Sequence, residues 1–201
     1  MVSEIDSIIG YHCAPAIRGI KVANLVAIPR DMDLHLTTAL SAYNEKFNDR
    51  GLFFYELCHC DRRRLLLVFR KRMLEEYLRR PEHAAFLKLY GYLPTESLET
   101  WFERLKGRLE ERMDFPHEIG LFLGYPLHDV RSFIRMKGAG YKLCGEWKVY
   151  GNPMSAMHSF HCFRACRNYC HTQLLNGKQL ESLVAVTATK DSNCLPFKSW
   201  V

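Results

Sequence analysis

A chain of 201 residues is long enough for one domain with a proper core, and two very small domains would each bury too little. Its 48% hydrophobic and 25% charged residues are those of a globular protein, not of a disordered or fibrous one. The net charge of +6 permits an acidic partner without demanding one, and no apolar run of about eighteen residues is present to span a membrane.

The N-terminal segment Met1-Val2-Ser3-Glu4-Ile5-Asp6 is acidic and lacks the basic-then-apolar order of a secretory leader, so a cytoplasmic setting is expected. There, Cys13, Cys58, Cys60, Cys144, Cys162, Cys166, Cys170 and Cys194 are expected as free thiols or metal ligands, not as a disulfide framework. Residues 10–20, with Cys13-Ala14-Pro15 and Gly19, predict a loop. Val22 to Ile28 reads as a short buried strand stopped by Pro29. Asp31 is a credible N-cap for a helix in which Met32, Leu36, Ala39, Leu40, Tyr43 and Phe47 recur at helical spacing, and Gly51 ends it.

Leu52 to Cys58 and Leu65 to Phe69 are β-compatible runs expected to pair antiparallel. Helices over 71–79 and 82–90 follow, broken at Pro81. Pro94-Thr95 opens an amphipathic helix striped by Leu98, Trp101, Phe102, Leu105 and Leu109, and Arg108 and Arg112 suit its negative end. Two short helices over 116–123 and 126–137 meet through Gly124-Tyr125, with Pro126 in the first turn of the second and Gly138 and Gly140 ending it. Glu146 to Tyr150 reads as a strand and 153–175 as a long helix. No period is visible beyond about 176. The expected organisation is one globular domain over 1–175 and a C-terminal tail over 176–201. Strands and helices mix without a βαβ rhythm, so the predicted class is α+β, a small mixed or antiparallel sheet packed with several helices.

Three stretches carry a resemblance: His12-Cys13-Ala14-Pro15, Gly145-Glu146-Trp147-Lys148-Val149-Tyr150, and the longer block Phe115-Pro116-His117-Glu118-Ile119-Gly120-Leu121-Phe122-Leu123-Gly124-Tyr125-Pro126-Leu127-His128-Asp129-Val130. With them the chain resembles bacterial domain-of-unknown-function family 3793, found mainly in anaerobes and of similar length, over roughly residues 10–170. The resemblance implies a small cytoplasmic protein and no activity. It also implies that Cys13, Lys21, His117, Glu118, Asp129, Trp147, Lys148 and Cys166 fall on motif positions, whereas Cys58, Cys60, Cys162 and Cys194 do not.

Cys13 follows His12 and precedes Lys21. A thiol beside cations can ionise and act as a nucleophile or soft ligand, although a small buried thiol is the commoner case. His117-Glu118 opens a helix, where the pair can serve as acid and base or as metal ligands; Glu118 alone would also complement the helix dipole. His158, Cys162, Cys166 and Cys170 lie four apart along the last helix. His158 with Cys162 could hold a soft metal, while core packing explains the rest. Cys58-His59-Cys60 could form a two-thiol chelate, but that needs two further ligands, and a purely structural role is the commoner case. The runs Arg62-Arg63-Arg64, Arg70-Lys71-Arg72 and Arg79-Arg80 read as solvated faces with ion pairs to Glu75 and Glu76, phosphate binding being the less common alternative.

The expected function is an enzyme or metal-handling protein whose site gathers Cys13, His12 and Lys21 with His117 and Glu118. Thiol, transition-metal or haem chemistry would follow, Cys13 and His117 being the first ligands considered, with a redox partner protein. One alternative is a nucleic-acid-binding module in which residues 117–137 mimic a helix-turn-helix and present Arg131, Arg135 and Lys137. Leu121, Phe122 and Leu127 are too apolar for that motif's wet positions. Another alternative is an interaction protein without chemistry.

Overall fold

The computed structural model describes residues 3–29, 32–59, 63–110 and 115–185. Helix α1 (Glu4–His12) opens on a reciprocal cap: the Ser3 hydroxyl accepts from the Asp6 N–H and the Asp6 carboxylate accepts from the Ser3 N–H. A single further turn, α2 (Ala14–Ile17), follows Cys13, with Pro15 where a missing N–H does no harm. Residues 10–17 are therefore largely helical where a loop is predicted. Their small side chains serve close packing, since a Cβ on Gly10 would meet Leu174 Cδ1 at 2.4 Å. Gly19, at φ +71°, turns the chain out of α2 into strand β1 (Ala23–Pro29).

Helix α3 (Asp33–Phe47) has Met32 at its N-cap; Asp31 lies outside the described residues. After a 3₁₀ turn, Gly51 at φ +72° starts β2 (Leu52–His59), which pairs antiparallel with β3 (Arg63–Arg70). The sheet order is β1-β3-β2, antiparallel throughout. Pro29 is the last residue of β1 and pairs with Arg63, tolerated because β1 is an edge strand.

Helices α4 (Lys71–Leu78) and α5 (Pro81–Lys88) come next, then α6 (Leu98–Glu110). The last begins at Leu98 rather than Pro94, because Ser97 supplies the cap by accepting the Thr100 N–H. Arg112 lies outside the described residues. The long motif block forms α7 (Ile119–Phe122) and α8 (Leu127–Arg135), with Pro126 at the N-cap of α8. A two-residue ladder, β4 (Leu143–Cys144) with β5 (Lys148–Val149), is all that forms of the strand expected at 146–150. Helix α9 (Pro153–Leu175) is capped by Asn152, whose side chain accepts from the N–H groups of Met154 and Ser155.

The fold is α+β, a single domain in three layers. In β3 the run Leu65-Leu66-Leu67-Val68-Phe69 is apolar at every position because both sheet faces are covered. Leu66 and Val68 pack into a core with α1, α2, α3 and α9; Leu67 and Phe69 pack into a second core with α4 to α8. From residue 176 to 185 the chain stays in the packed body. Helix α10 (Leu180–Leu183) buries Leu180 and Leu183, Val184 is buried after it, and the Ala185 N–H donates to the Ile17 carbonyl. Four residues are too few to show a helical period, which is why the sequence suggests a tail there. Among the described residues, no helix is long and apolar enough to cross a membrane.

Two arginines expected on solvated faces are buried instead. Arg64 pairs with Glu56, and Arg70 donates to the carbonyls of Ala16, Ile17 and Arg50. The expected helical pair Arg72–Glu76 is present on the surface.

Candidate functional site

Lys21 is the most informative side chain of the molecule. It lies between the Gly19 turn and β1, held by its own N–H donating to the Pro15 carbonyl. Only 3% of it is exposed, and its ammonium has no hydrogen-bond acceptor or ion-pair partner among the described residues. Instead Nζ rests over the faces of Tyr125 and Phe163, 5.1 and 5.6 Å from the ring centres. Two rings do not replace a hydration shell. Burial lowers its pKa from the usual 10.5 to about 8, opposed by Glu146 and Cys13 and reinforced by Arg167.

The Lys21 side chain faces a cavity of about 270 Å³ with mostly polar walls: Tyr11, His12, Asn24, Glu146 and Arg167, closed by Leu25, Leu123 and Tyr125. Packing of α9 on α1 and α2 brings Arg167 there, and the β4–β5 hairpin brings Glu146. Arg167 and Glu146 form a two-pronged ion pair, Nη1 to Oε2 at 3.0 Å. Asn24 uses its carbonyl oxygen to accept the Ala16 N–H, which also ties β1 to α2. His12 is held below its ordinary pKa by partial burial and then by Arg167, which favours neutral imidazole. With one carboxylate against two cations, the cavity has a net positive charge.

A second cavity of about 230 Å³ shares the walls Leu25, Leu123 and Tyr125 and is otherwise largely apolar, with Phe115, His117, Phe133 and Trp147 among its lining. Tyr125 enters this position from the turn at Gly124, φ +74°, and its carbonyl accepts the Tyr77 hydroxyl. Trp147 stacks on Tyr125 and meets Phe160 edge-on. Both contacts depend on Asp129. Its carboxylate accepts from Trp147 Nε1 at 2.8 Å, from the Tyr150 N–H at 2.9 Å and from the Gly151 N–H at 2.8 Å, so α8 fastens the hairpin. Gly145 lets the hairpin lie on α9, since a Cβ there would come within 2.3 Å of the Phe160 ring.

The expected site is divided by this geometry. Lys21 and His12 line the polar cavity. Cys13 is fully buried in the core of α1, α2 and α9 and lines neither cavity. Burial raises its thiol far above the ordinary range, and Lys21 offsets only part of that. His117 is exposed at the apolar cavity, its ring against Phe115 and Phe133. Glu118 points the other way: 1% exposed, it accepts from the Tyr92 hydroxyl and lies 2.7 Å from Arg108 Nε as an ion pair. The gathering of Cys13 with His117 and Glu118 is therefore corrected. Cys13 belongs to the core on one face of the sheet, whereas Ile119 and Leu121, which follow His117 and Glu118, belong to the core on the other.

His158 Nε2 lies 3.7 Å from Cys162 Sγ on α9. Among the described residues, no group of three or more His, Cys, Asp or Glu side chains is placed to hold a metal ion. Cys60 and Cys194 lie outside those residues. In the helix-turn-helix candidate, α7 is one turn long and wholly buried, so α8 lacks a first helix to brace it. Arg131 and Arg135 are nonetheless exposed, one turn apart.

The sequence carries no local signal for Tyr11, Asn24 and Arg167, and marks Tyr125 only as a joint between helices and Glu146 only as part of a motif stretch. Asp129 and Trp147 were marked only as motif positions. The shared signal is that motif segments far apart in sequence converge on one cavity, which spacing within each segment cannot show. A family model described as "Protein of unknown function (DUF3793)" matches residues 9–184. No curated protein and no solved structure matches the chain.

Proposed function

We propose, for a chain that belongs to the DUF3793 family, that the Lys21 cavity binds a small organic anion, a compound with a carboxylate or phosphate group. One observation carries the reading: the ammonium of a lysine that is only 3% exposed, without an acceptor among the described residues, faces a cavity with polar walls. Holding such a charge away from water costs stability unless a partner arrives. An anion supplies that partner, with the Asn24 amide, the Tyr11 hydroxyl and His12 as further polar groups at hand. Thiol, metal or haem chemistry has less behind it, since Cys13 is buried and, among the described residues, no group of three or more His, Cys, Asp or Glu is placed to hold a metal ion. The nucleic-acid reading keeps only the exposed Arg131 and Arg135 in its favour.

Calorimetric titration with acetate and with inorganic phosphate tests the proposal. Binding to one of them is expected, and Lys21→Met should weaken it by about 10- to 100-fold. The same substitution should make the protein without added anion more stable, by about 1–2 kcal/mol in urea denaturation at neutral pH, because the buried charge is gone. Equal anion affinity in both proteins, together with a loss of stability, would contradict the reading.

A further inference from the structure

The polar and apolar cavities meet at Tyr125. On one side its ring carries the Lys21 ammonium; on the other it stacks on Trp147, ring centres 5.2 Å apart. Leu25 and Leu123 also line both cavities. A cavity of about 150 Å³ lined by aliphatic and aromatic side chains is large enough for benzene. The apolar cavity, at about 230 Å³, has room for a substituted six-membered ring.

The charged groups around that apolar cavity already have partners. Asp129 accepts three N–H groups, and Lys148 donates to the Gly138 carbonyl while lying over Phe133 and Tyr141. They have little left with which to orient a polar ligand. The ammonium that lacks an acceptor among the described residues lines the adjoining polar cavity. The apolar volume and the recognising charge thus belong to adjoining cavities.

We infer that the two cavities are halves of one site, and that its ligand is an aryl acid. The anionic group would sit on Lys21 and the ring would lie against Trp147 and Phe133. This rests on the anion-binding reading of Lys21 and adds the chemical class of the ligand. Tyr125 lines both halves, between Lys21 and Trp147, so a short flexible link between ring and acid suits the site better than a ring bearing the acid directly.

Calorimetry with acetate, phenylacetate, phenylpropionate and phenylbutyrate separates the two ideas. Burial of the ring should make the best-fitting phenyl acid bind on the order of 10- to 100-fold more tightly than acetate. Lys21→Met should weaken every acid. His117→Trp, at an exposed position, should fill the apolar mouth and return the phenyl acids to the acetate level. Phe133→Ala, removing one wall, should reduce the advantage of the ring.

Phenyl acids no tighter than acetate, with acetate still dependent on Lys21, would overturn the two-part site and leave the anion site standing. Acids indifferent to Lys21→Met would overturn both. A ring advantage unchanged in both His117→Trp and Phe133→Ala would overturn the placement of the ring.

Discussion

Replacing Asp129 by alanine is expected to cost about 3–5 kcal/mol in urea or thermal denaturation, the largest loss from any single polar side chain around the two cavities. The carboxylate is 4% exposed and accepts three N–H groups. Its removal leaves the Trp147 indole and two hairpin amides without their acceptor. Asparagine is expected to cost about half as much. Its one carbonyl oxygen can keep the Tyr150 and Gly151 amides, but its NH₂ then faces the Trp147 N–H, donor against donor. Trp147→Phe removes the same indole bond, so in a double-mutant cycle with Asp129→Asn the two losses should not add. Additive losses would show that Asp129 does not hold Trp147. The effect reaches function through Glu146, next to Trp147, because a loosened hairpin also frees Arg167 from its ion pair.

Replacing Arg70 by methionine is expected to cost about 2–3 kcal/mol. Two opposing effects set this size. Arg70 is a buried cation, and burial pushes its pKa down to about 10, so losing the charge relieves a desolvation cost. Against that, three carbonyls lose a charged donor. The Ala16 and Ile17 carbonyls keep backbone donors from Gly19 and Ala185, which limits the damage. Lysine should rescue little, because an ammonium cannot reach three carbonyls spread along a guanidinium fork. Full rescue by Arg70→Lys, read as the denaturation midpoint, would mean that charge alone matters here. Because Ala16 and Ile17 form the turn before Lys21, the variant should also weaken anion binding.

Much of the fold was legible because long elements repeat their pattern. Leu36, Ala39, Leu40, Tyr43 and Phe47 all reach one core, as their helical spacing predicts, and the antiparallel pairing of Leu52 to Cys58 with Leu65 to Phe69 follows from two apolar runs. Short elements were hidden. One turn at Ala14–Ile17 or Leu180–Leu183 shows no period, and small residues chosen for close packing look like loop residues. Arginine runs were misread for a related reason. Arg64 follows Arg63 and Arg70 precedes Lys71 in basic runs, and only the sheet shows that they point inward.

The site was half legible. Lys21 and His12 were singled out for being close to Cys13, yet they form the cavity without it. What drew attention to Cys13 and His117 was reactive chemistry beside Pro15 and Pro116. Those prolines serve helix starts and turns. Tyr125 looked like a hinge residue between two glycine- and proline-bounded helices, and the hinge is what aims its ring between Lys21 and Trp147.

The protonation of Lys21 tests the central claim most directly. With lysine carbon-labelled at the ε position, its resonance identified by loss in Lys21→Met, NMR should show it titrating near pH 8 rather than 10.5. Because the charged form pays for burial in the folded state, this group should add stability as pH rises from about 8 to 10.5, and Lys21→Met should lose that gain. Saturating phenylpropionate should move the titration upward, and its affinity should fall as pH rises through about 8, since only the ammonium attracts the acid. A Lys21 that titrates at its ordinary value, unmoved by acetate, phosphate or phenylpropionate, would contradict the account.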